Sequence, residues 1–414
     1  MAAALALADP GPVFASPAKS AQPTLGKYAN NCVSPGQGIT EWDRRRYSRR
    51  HSELRRVRDC GVKRWRPEVE ALCEAGRVAY RGVVHCSSVW CCERCAARIR
   101  AARAAEHREP LVEWVRAGGG AVFVTLTLRH TLSQSLAEVL DLVVEAWRAT
   151  LGARRVRALR ESLRFEFLRA LEVTDSDSFG WHVHLHVVVV VPEQLSTSAF
   201  RDVAAAFSSS WREAVVSRGG HVSATKGVKS ENVGLGSAGR VAAYLSKLGK
   251  LTDELARGTG KLSRGKGRGF LDMLSGAASG DRRLRARWAE YERTMSGRRA
   301  LVPSRGWRRL LGVGRGRSDQ ELAEPARDLA SFGAISPRQW DWVVSAPRGF
   351  EVLESALLAG VPLPGALAQV WELLEPGDLP AWSPDAVLVD IRAGLRAEAV
   401  RRSRAPVQLR LLTG

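Results

Sequence analysis

What the 414-residue chain lacks narrows the possibilities first. No apolar run approaches the roughly 20 residues that a membrane-spanning helix needs. No internal repeat is visible, so a solenoid or propeller is not expected. The opening MAAALALADPGP has a short apolar run with no basic residue ahead of it, a poor match to a secretory signal. The expectation is a cytoplasmic protein with no membrane partner. Acidic residues are also short: 43 Asp and Glu against 63 Lys and Arg leave a formal charge of +20. Such a surplus is the electrostatic footprint of a nucleic-acid partner, because cationic side chains displace counterions condensed on phosphates. The bland source would be a GC-rich coding bias, since Arg, Ala, Gly and Val crowd out Lys. Tyrosine (5 residues) and histidine (8) are scarce enough that any cluster of them carries information.

Along the chain, residues 1–40 are rich in Ala, Pro, Ser and Gly without a period and read as a flexible tail. EWDRRRYSRRHSELRRVR, 41–58, reads equally as a solvated helix face or a phosphate-contacting arm. A helix is expected through AARIRAARAAEHREPLVEWVRAG, stopping at Gly118 to Gly120. AVFVTLTLRH, 121–130, alternates as a strand does. TLSQSLAEVLDLVVEAWRATL has apolar residues at helical spacing. FEFLRALEVT, 165–174, then DSDSFG, then GWHVHLHVVVVV read as a β-hairpin with a loop of about six residues. A helix over SAFRDVAAAFSSSWREAVVSRGG, a short strand in HVSATKGVKSENV and a helix over 237–250 follow. The connector GTGKLSRGKGRG is a mobile or DNA-facing loop.

Three of the eight histidines, His182, His184 and His186, alternate along one strand and so share a face, with Val183, Leu185 and Val187 on the other. Glu172 on the outgoing strand lies opposite residues 183 to 184, and a one-residue change of register decides its face. One carboxylate and two imidazoles at that spacing can hold a divalent cation and leave positions open for water or a phosphate oxygen. The alternative is a solvent-facing strand with incidental histidines. Downstream, Arg240, Tyr244 and Lys247 fall on one helix face. A phenol titrates near 10, so flanking cations would favour the phenolate. Alone, Tyr244 reads more readily as an amphipathic ring packed on Val241, Leu245 and Leu248.

Six of the seven cysteines fall within 60–100, which suits a metal site in a reducing compartment better than a disulfide framework. Cys92 and Cys95 form a CxxC, and Cys86 is a third zinc ligand. The fourth is Cys60, Cys73 or His85. Cys91, adjacent to Cys92, cannot point at the same ion. Inert buried thiols are the competing reading.

Together these pieces resemble the HUH endonucleases. RALEVT, GWHVHLHVVV and VAAYLSK look like their second and third motifs, and FVTLTLR like the first. The nearest likeness is to rolling-circle plasmid replication initiators of actinobacteria, in which a segment like CGSVWxCPxCAxxIR precedes the first strand. CSSVWCCERCAARIR is similar to it, and WAEYERTMSGRRALVPSRGWRRLLGV resembles their tail. The likeness covers about residues 60 to 325.

The resemblance implies an α+β fold, a central antiparallel sheet flanked by helices. The implied organisation is a tail (1–40), a basic and Cys-rich zinc segment (41–105), the endonuclease domain (106–250), a basic family-like tail (251–325) and a helical region of unassigned role (326–414). It implies Mg²⁺ or Mn²⁺ on Glu172, His184 and His186, with His182 either supporting the site or joining it. It makes Tyr244 the nucleophile and Lys247 its helper, and Arg240, Lys261, Arg264, Lys266 and Arg268 DNA contacts. The implied activity is nicking of one origin strand through a 5′-phosphotyrosyl link, the free 3′-OH priming rolling-circle synthesis with a host helicase and polymerase as partners. Arg240 stands where some single-tyrosine relatives have a Glu, which bears on termination. Val183 and Glu93 stand where prolines are common. The competing functions are an HUH relaxase or transposase acting in DNA transfer, and a non-enzymatic zinc-dependent DNA-binding regulator.

Overall fold

A computed structural model describes residues 38–233 and 267–374. Within them the strands are β1 (Val69–Glu74), β2 (Arg77–Arg81), β3 (Gly120–Thr127), β4 (Glu166–Ser176), β5 (Gly180–Val191), β6 (Val228–Asn232), β7 (Leu301–Pro303) and β8 (Ala330–Ile335). They form a five-stranded sheet in the order β6-β3-β5-β4-β7 and a three-stranded sheet in the order β2-β1-β8. Every pairing is antiparallel. The observed class is α+β with antiparallel sheets flanked by helices.

The larger sheet is built on period-two alternation. Val183, Leu185, Val187 and Val189 of β5 are fully buried and meet Val122, Val124 and Leu126 of β3 on the same face. The helix Leu136–Gly152 covers that face with Leu136, Leu140, Val143 and Trp147, and the helix Thr197–Val216 with Val203, Phe207 and Trp211. Both are amphipathic, and both start at a serine whose hydroxyl accepts a backbone N–H three residues on, Ser135 from Glu138 and Ser196 from Ala199. On the other face, Leu111 and Val115 of the helix Glu93–Arg116 pack against Leu168, Val188 and Val190. That packing covers only the half of the sheet distant from the histidines.

The hairpin is tighter than its composition suggests. β4 runs on to Ser176 and β5 begins at Gly180, so the loop is Asp177 to Phe179. Gly180 takes φ +73°, and a Cβ there would sit 3.1 Å from the Thr131 carbonyl oxygen, so glycine meets both the backbone and the packing demand. What extends β4 is Asp175, which pairs with Trp181 inside the hairpin and bridges to Arg268 outside it.

From Gly267 on, the described part of the segment expected as a basic tail packs with the main core. Phe270, Met273, Trp288, Tyr291 and Met295 are buried among Trp181, Trp90 and Cys91 in the main core. Within the region expected as helical, β8 pairs with β1 and covers the edge of the β1–β2 hairpin. An isolated two-stranded hairpin is marginal in water, and a third strand with helices over one face makes it stable. Trp340, Val343, Leu353 and Leu367 from the helices Pro337–Ser345, Gly349–Leu358 and Leu363–Trp371 supply that cover over Val69, Ala71 and Tyr80.

Candidate functional site

The register of the hairpin places Glu172 directly opposite His184, with Thr174 opposite His182 and Ala170 opposite His186. Residues directly opposite in an antiparallel pair point to the same face. Glu172 and the three histidines therefore share the open part of the sheet, with Thr125 and Thr127 of β3 beside them. Lys229 of β6, exposed, lies across Thr125 on that face.

Three atoms converge. Glu172 Oε2 lies 2.8 Å from His184 Nε2 and 2.9 Å from His186 Nε2, and the two nitrogens are 3.0 Å apart. With the carboxylate ionised, hydrogen bonds alone fit this triangle poorly. If both nitrogens donate to the carboxylate, their N–H groups confront each other. A cation at the centre resolves the conflict. Three cis ligands of an octahedral ion with bonds of about 2.1 Å stand about 3.0 Å apart, which is the spacing seen, and three positions remain open. Glu172, His184 and His186 thus form a group able to hold a metal ion.

The surroundings support that role. Thr125 Oγ1 is 3.3 Å from His186 Nδ1 and can accept its proton, the usual outer-shell arrangement of a histidine that ligates through Nε2. Phe123 stacks on the His186 ring at 5.5 Å and fixes its plane. Burial would raise the Glu172 carboxyl, but the two imidazoles beside it hold it well below the usual carboxylate range. His184 Nδ1 is buried without a hydrogen-bond partner.

His182 does not join the triangle. Its Nδ1 meets His130 Nε2 at 2.8 Å, and His130 Nδ1 meets the Phe179 carbonyl at 2.7 Å. The carbonyl makes His130 Nδ1 the donor, so His130 Nε2 accepts and His182 Nδ1 carries the proton. Burial is the main cause that pushes His182 down to about 4. His130 was not singled out in the sequence. Its signal was its position just past β3, the strand that flanks the histidine strand.

The second cluster is the four-thiol group of Cys60, Cys86, Cys92 and Cys95. Cys60 Sγ is 3.6 Å from both Cys92 Sγ and Cys95 Sγ. Tetrahedral zinc with Zn–S bonds of about 2.3 Å places its sulfurs about 3.75 Å apart, so this spacing is compatible with a structural zinc. Cys92 is the N-cap of the helix Glu93–Arg116, which presents Cys95 one turn in. Backbone N–H groups of Cys86 and Ser88 point at Cys60 Sγ and Cys86 Sγ. Hydrogen bonds from the three other thiols hold Cys60 well below its ordinary value.

The fourth member is therefore Cys60. Cys73 lies on β1, opposite Val78 and Ala330, outside the group. His85 Nε2 turns to the Tyr80 carbonyl and Glu324. Cys91 faces the core, where burial pushes its thiol up to about 12.

The remaining expected residues divide sharply. Tyr244, Lys247, Arg240, Lys261, Arg264 and Lys266 lie outside the described residues. The chain on either side of them is placed: Val233 N–H bonds the Ala121 carbonyl at the end of β6, and Gly267 stands against Thr174, on the histidine face. Arg268 commits its guanidinium to Asp175 at 2.8 Å and Asp177 at 2.6 Å. Beside β7, a cleft of about 420 Å³ is bordered by Arg100, Arg103, Arg299, Arg308 and Arg317. The Ala300 carbonyl accepts the Leu171 N–H at 2.9 Å, which sets Arg299 next to the strand that carries Glu172.

Among known proteins, the chain is 28% identical to Protein rep of Streptomyces lividans across 68% of this chain and 77% of that protein. It is also 28% identical to the Neomycin resistance protein of Streptomyces cyanogenus, over 28% of this chain and 32% of that protein. No family model matches the chain. No solved structure matches it. No helix among the described residues is long and apolar enough to cross a membrane.

Proposed function

We propose that this chain initiates plasmid replication by nicking one strand of origin DNA at the Glu172–His184–His186 centre, as an HUH-type endonuclease. The similarity to a Rep protein supports the coarser reading, a replication initiator. The observation that carries the chemistry is the triangle of one carboxylate oxygen and two imidazole nitrogens on an open sheet face. A divalent cation held there, Mg²⁺ or Mn²⁺, would supply Lewis-acid polarisation of the scissile phosphate. The protein's own parts do the rest. Phe123 holds the His186 ring in one plane, and Thr125 can accept from its Nδ1 so that Nε2 faces the ion. The exposed Arg299 and Arg317 beside β7 would track the backbone near the reacting phosphate, with Arg240, Lys261, Arg264 and Lys266 adding further contacts.

The proposed nucleophile is Tyr244, with Lys247 favouring its phenolate. The tyrosine oxygen bonds to phosphorus and the bond from phosphorus to the upstream 3′ oxygen breaks. The phenolic proton is released and the departing 3′ oxygen takes one up. The products are a 5′-phosphotyrosyl link and a 3′-OH available to a host polymerase and helicase. The link keeps the ester for later rejoining.

The test is incubation with Mn²⁺ and labelled single-stranded origin DNA, followed by denaturing electrophoresis. A protein–DNA adduct from the parent chain and none from Tyr244→Phe is expected. Equal adducts from both would remove Tyr244 from the role. Absence of any metal-dependent cleavage of the origin strand would leave the non-enzymatic regulator as the better reading.

A further inference from the structure

The basic run 41–58 has two expected readings, and the fold separates its arginines between them. In the helix Glu41–His51, Arg44 is bound by Glu93 at 2.7 Å and Arg45 by Glu354 at 3.0 Å. These two fasten the helix to the body of the protein. Arg49 and Arg50, one turn on, have no carboxylate partner among the described residues.

Both line a cleft of about 330 Å³ between this helix and the start of the helix Gly349–Leu358. Six arginines border it, Arg45, Arg46, Arg49, Arg50, Arg58 and Arg348, against one carboxylate, Glu351. Glu351 is already held by Arg348. The Arg49 guanidinium lies 4.0 Å over the Phe350 ring, and its Nη2 is buried with no hydrogen-bond partner. Burial and the charge of Arg45, against the opposing pull of Glu354, bring Arg49 down to about 9. A guanidinium nitrogen shut off from water without an acceptor is costly unless an anion completes it. The helix Gly349–Leu358 starts at the same wall, and its first-turn N–H groups, which have no intrahelical acceptor, favour negative charge.

We infer that this cleft is a binding site for backbone phosphates of duplex DNA, separate from the metal-binding triangle. Arg49 would make a charge-assisted contact to one phosphate from its stacked position on Phe350, and Arg50 would hold a neighbouring phosphate at the rim. None of the residues bordering the cleft belongs to the triangle or the thiol group, so the site can grip DNA without taking part in cleavage. The choice of DNA as the polyanion rests on the replication reading above; the anion chemistry of the cleft does not.

The test uses the full chain, with EDTA present, and a short duplex of random sequence, so that neither nicking nor origin recognition enters. Affinity is measured by fluorescence anisotropy over a salt series for the parent, Arg49→Met and Arg50→Gln, with ATP as a second probe. Arg49→Met keeps the bulk over Phe350, and Arg50→Gln changes an exposed side chain, so it carries the test if Arg49→Met fails to fold. The expected result is about a 3- to 10-fold loss of duplex affinity for each variant, with the log–log salt slope shallower by about one. Duplex binding equal to the parent in the folded variants overturns the inference. So does Arg49-dependent binding of ATP with duplex binding unchanged, which would make the cleft a nucleotide site. If the parent never nicks origin DNA yet the variants lose duplex affinity, the nicking function fails and this inference stands.

Discussion

Glu172 stands directly across β4–β5 from His184, and a single carboxylate oxygen of Glu172 reaches the Nε2 atoms of both His184 and His186 at 2.8 and 2.9 Å. One oxygen facing two imidazoles whose nitrogens are 3.0 Å apart is a geometry able to hold a cation.

Glu172→Gln keeps the shape and removes the charge. Mn²⁺ affinity, read by electron paramagnetic resonance, is expected to fall by about 100-fold or more, and Thr125→Val by about 10-fold through the loosened His186 ring. Unchanged Mn²⁺ binding in Glu172→Gln would mean that the ion, if bound, sits elsewhere.

The thiol group predicts a selective loss. Cys60→Ser and Cys95→Ser should bind less zinc by elemental analysis and lose several kcal/mol of stability, out of the roughly 10–16 kcal/mol that zinc contributes in finger peptides. Cys73→Ser and Cys91→Ser should keep full zinc. A Cys73 variant that lost zinc while Cys60→Ser kept it would reverse the assignment.

Asp175 is fully buried and is held by Arg268 at 2.8 Å and Arg287 at 3.4 Å. Arg268→Met leaves that carboxylate with one weaker partner and should cost about 3 kcal/mol in urea unfolding, in the range for breaking one side of a buried ion pair. Because Arg268 also ties Gly267 beside Thr174, the variant should lose adduct formation more than duplex binding. A variant as stable as the parent would show that Arg287 alone suffices.

His107 accepts a hydrogen bond from Trp307 Nε1 at 3.3 Å, and burial pushes its pKa down to about 4. In the unfolded chain it titrates near 6.5. Between those values the unfolded state binds the extra proton, so stability is full above about pH 6.5 and falls as pH drops toward 4. The loss should reach about 2–3 kcal/mol. His107→Asn, with no proton to gain there, should flatten the dependence when denaturation midpoints are compared at pH 7 and pH 5. A parent profile no steeper than the variant's would remove His107 from the explanation.

The parts legible in the sequence are those set by local period. Alternation along GWHVHLHVVVVV put the histidines on one face and the valines on the other, because adjacent strand residues point to opposite sides whatever the fold. The CxxC of Cys92 and Cys95 and the helical spacing from Leu136 to Trp147 were readable for the same reason. Tertiary structure decided which distant segments meet. The register that sets Glu172 on the histidine face was one residue from the opposite outcome, and it is fixed by burial of Val183 and Leu185 against β3. Cys60 rather than Cys73 completes the thiol group because β1 commits Cys73 to its own ladder. β8 joins β1 across most of the chain to cover an open hairpin edge. His130 reaches His182, and Arg49 is left unpaired over Phe350, only after those long-range contacts form. Such contacts are set by which surfaces can bury each other, and that information is spread over the whole chain.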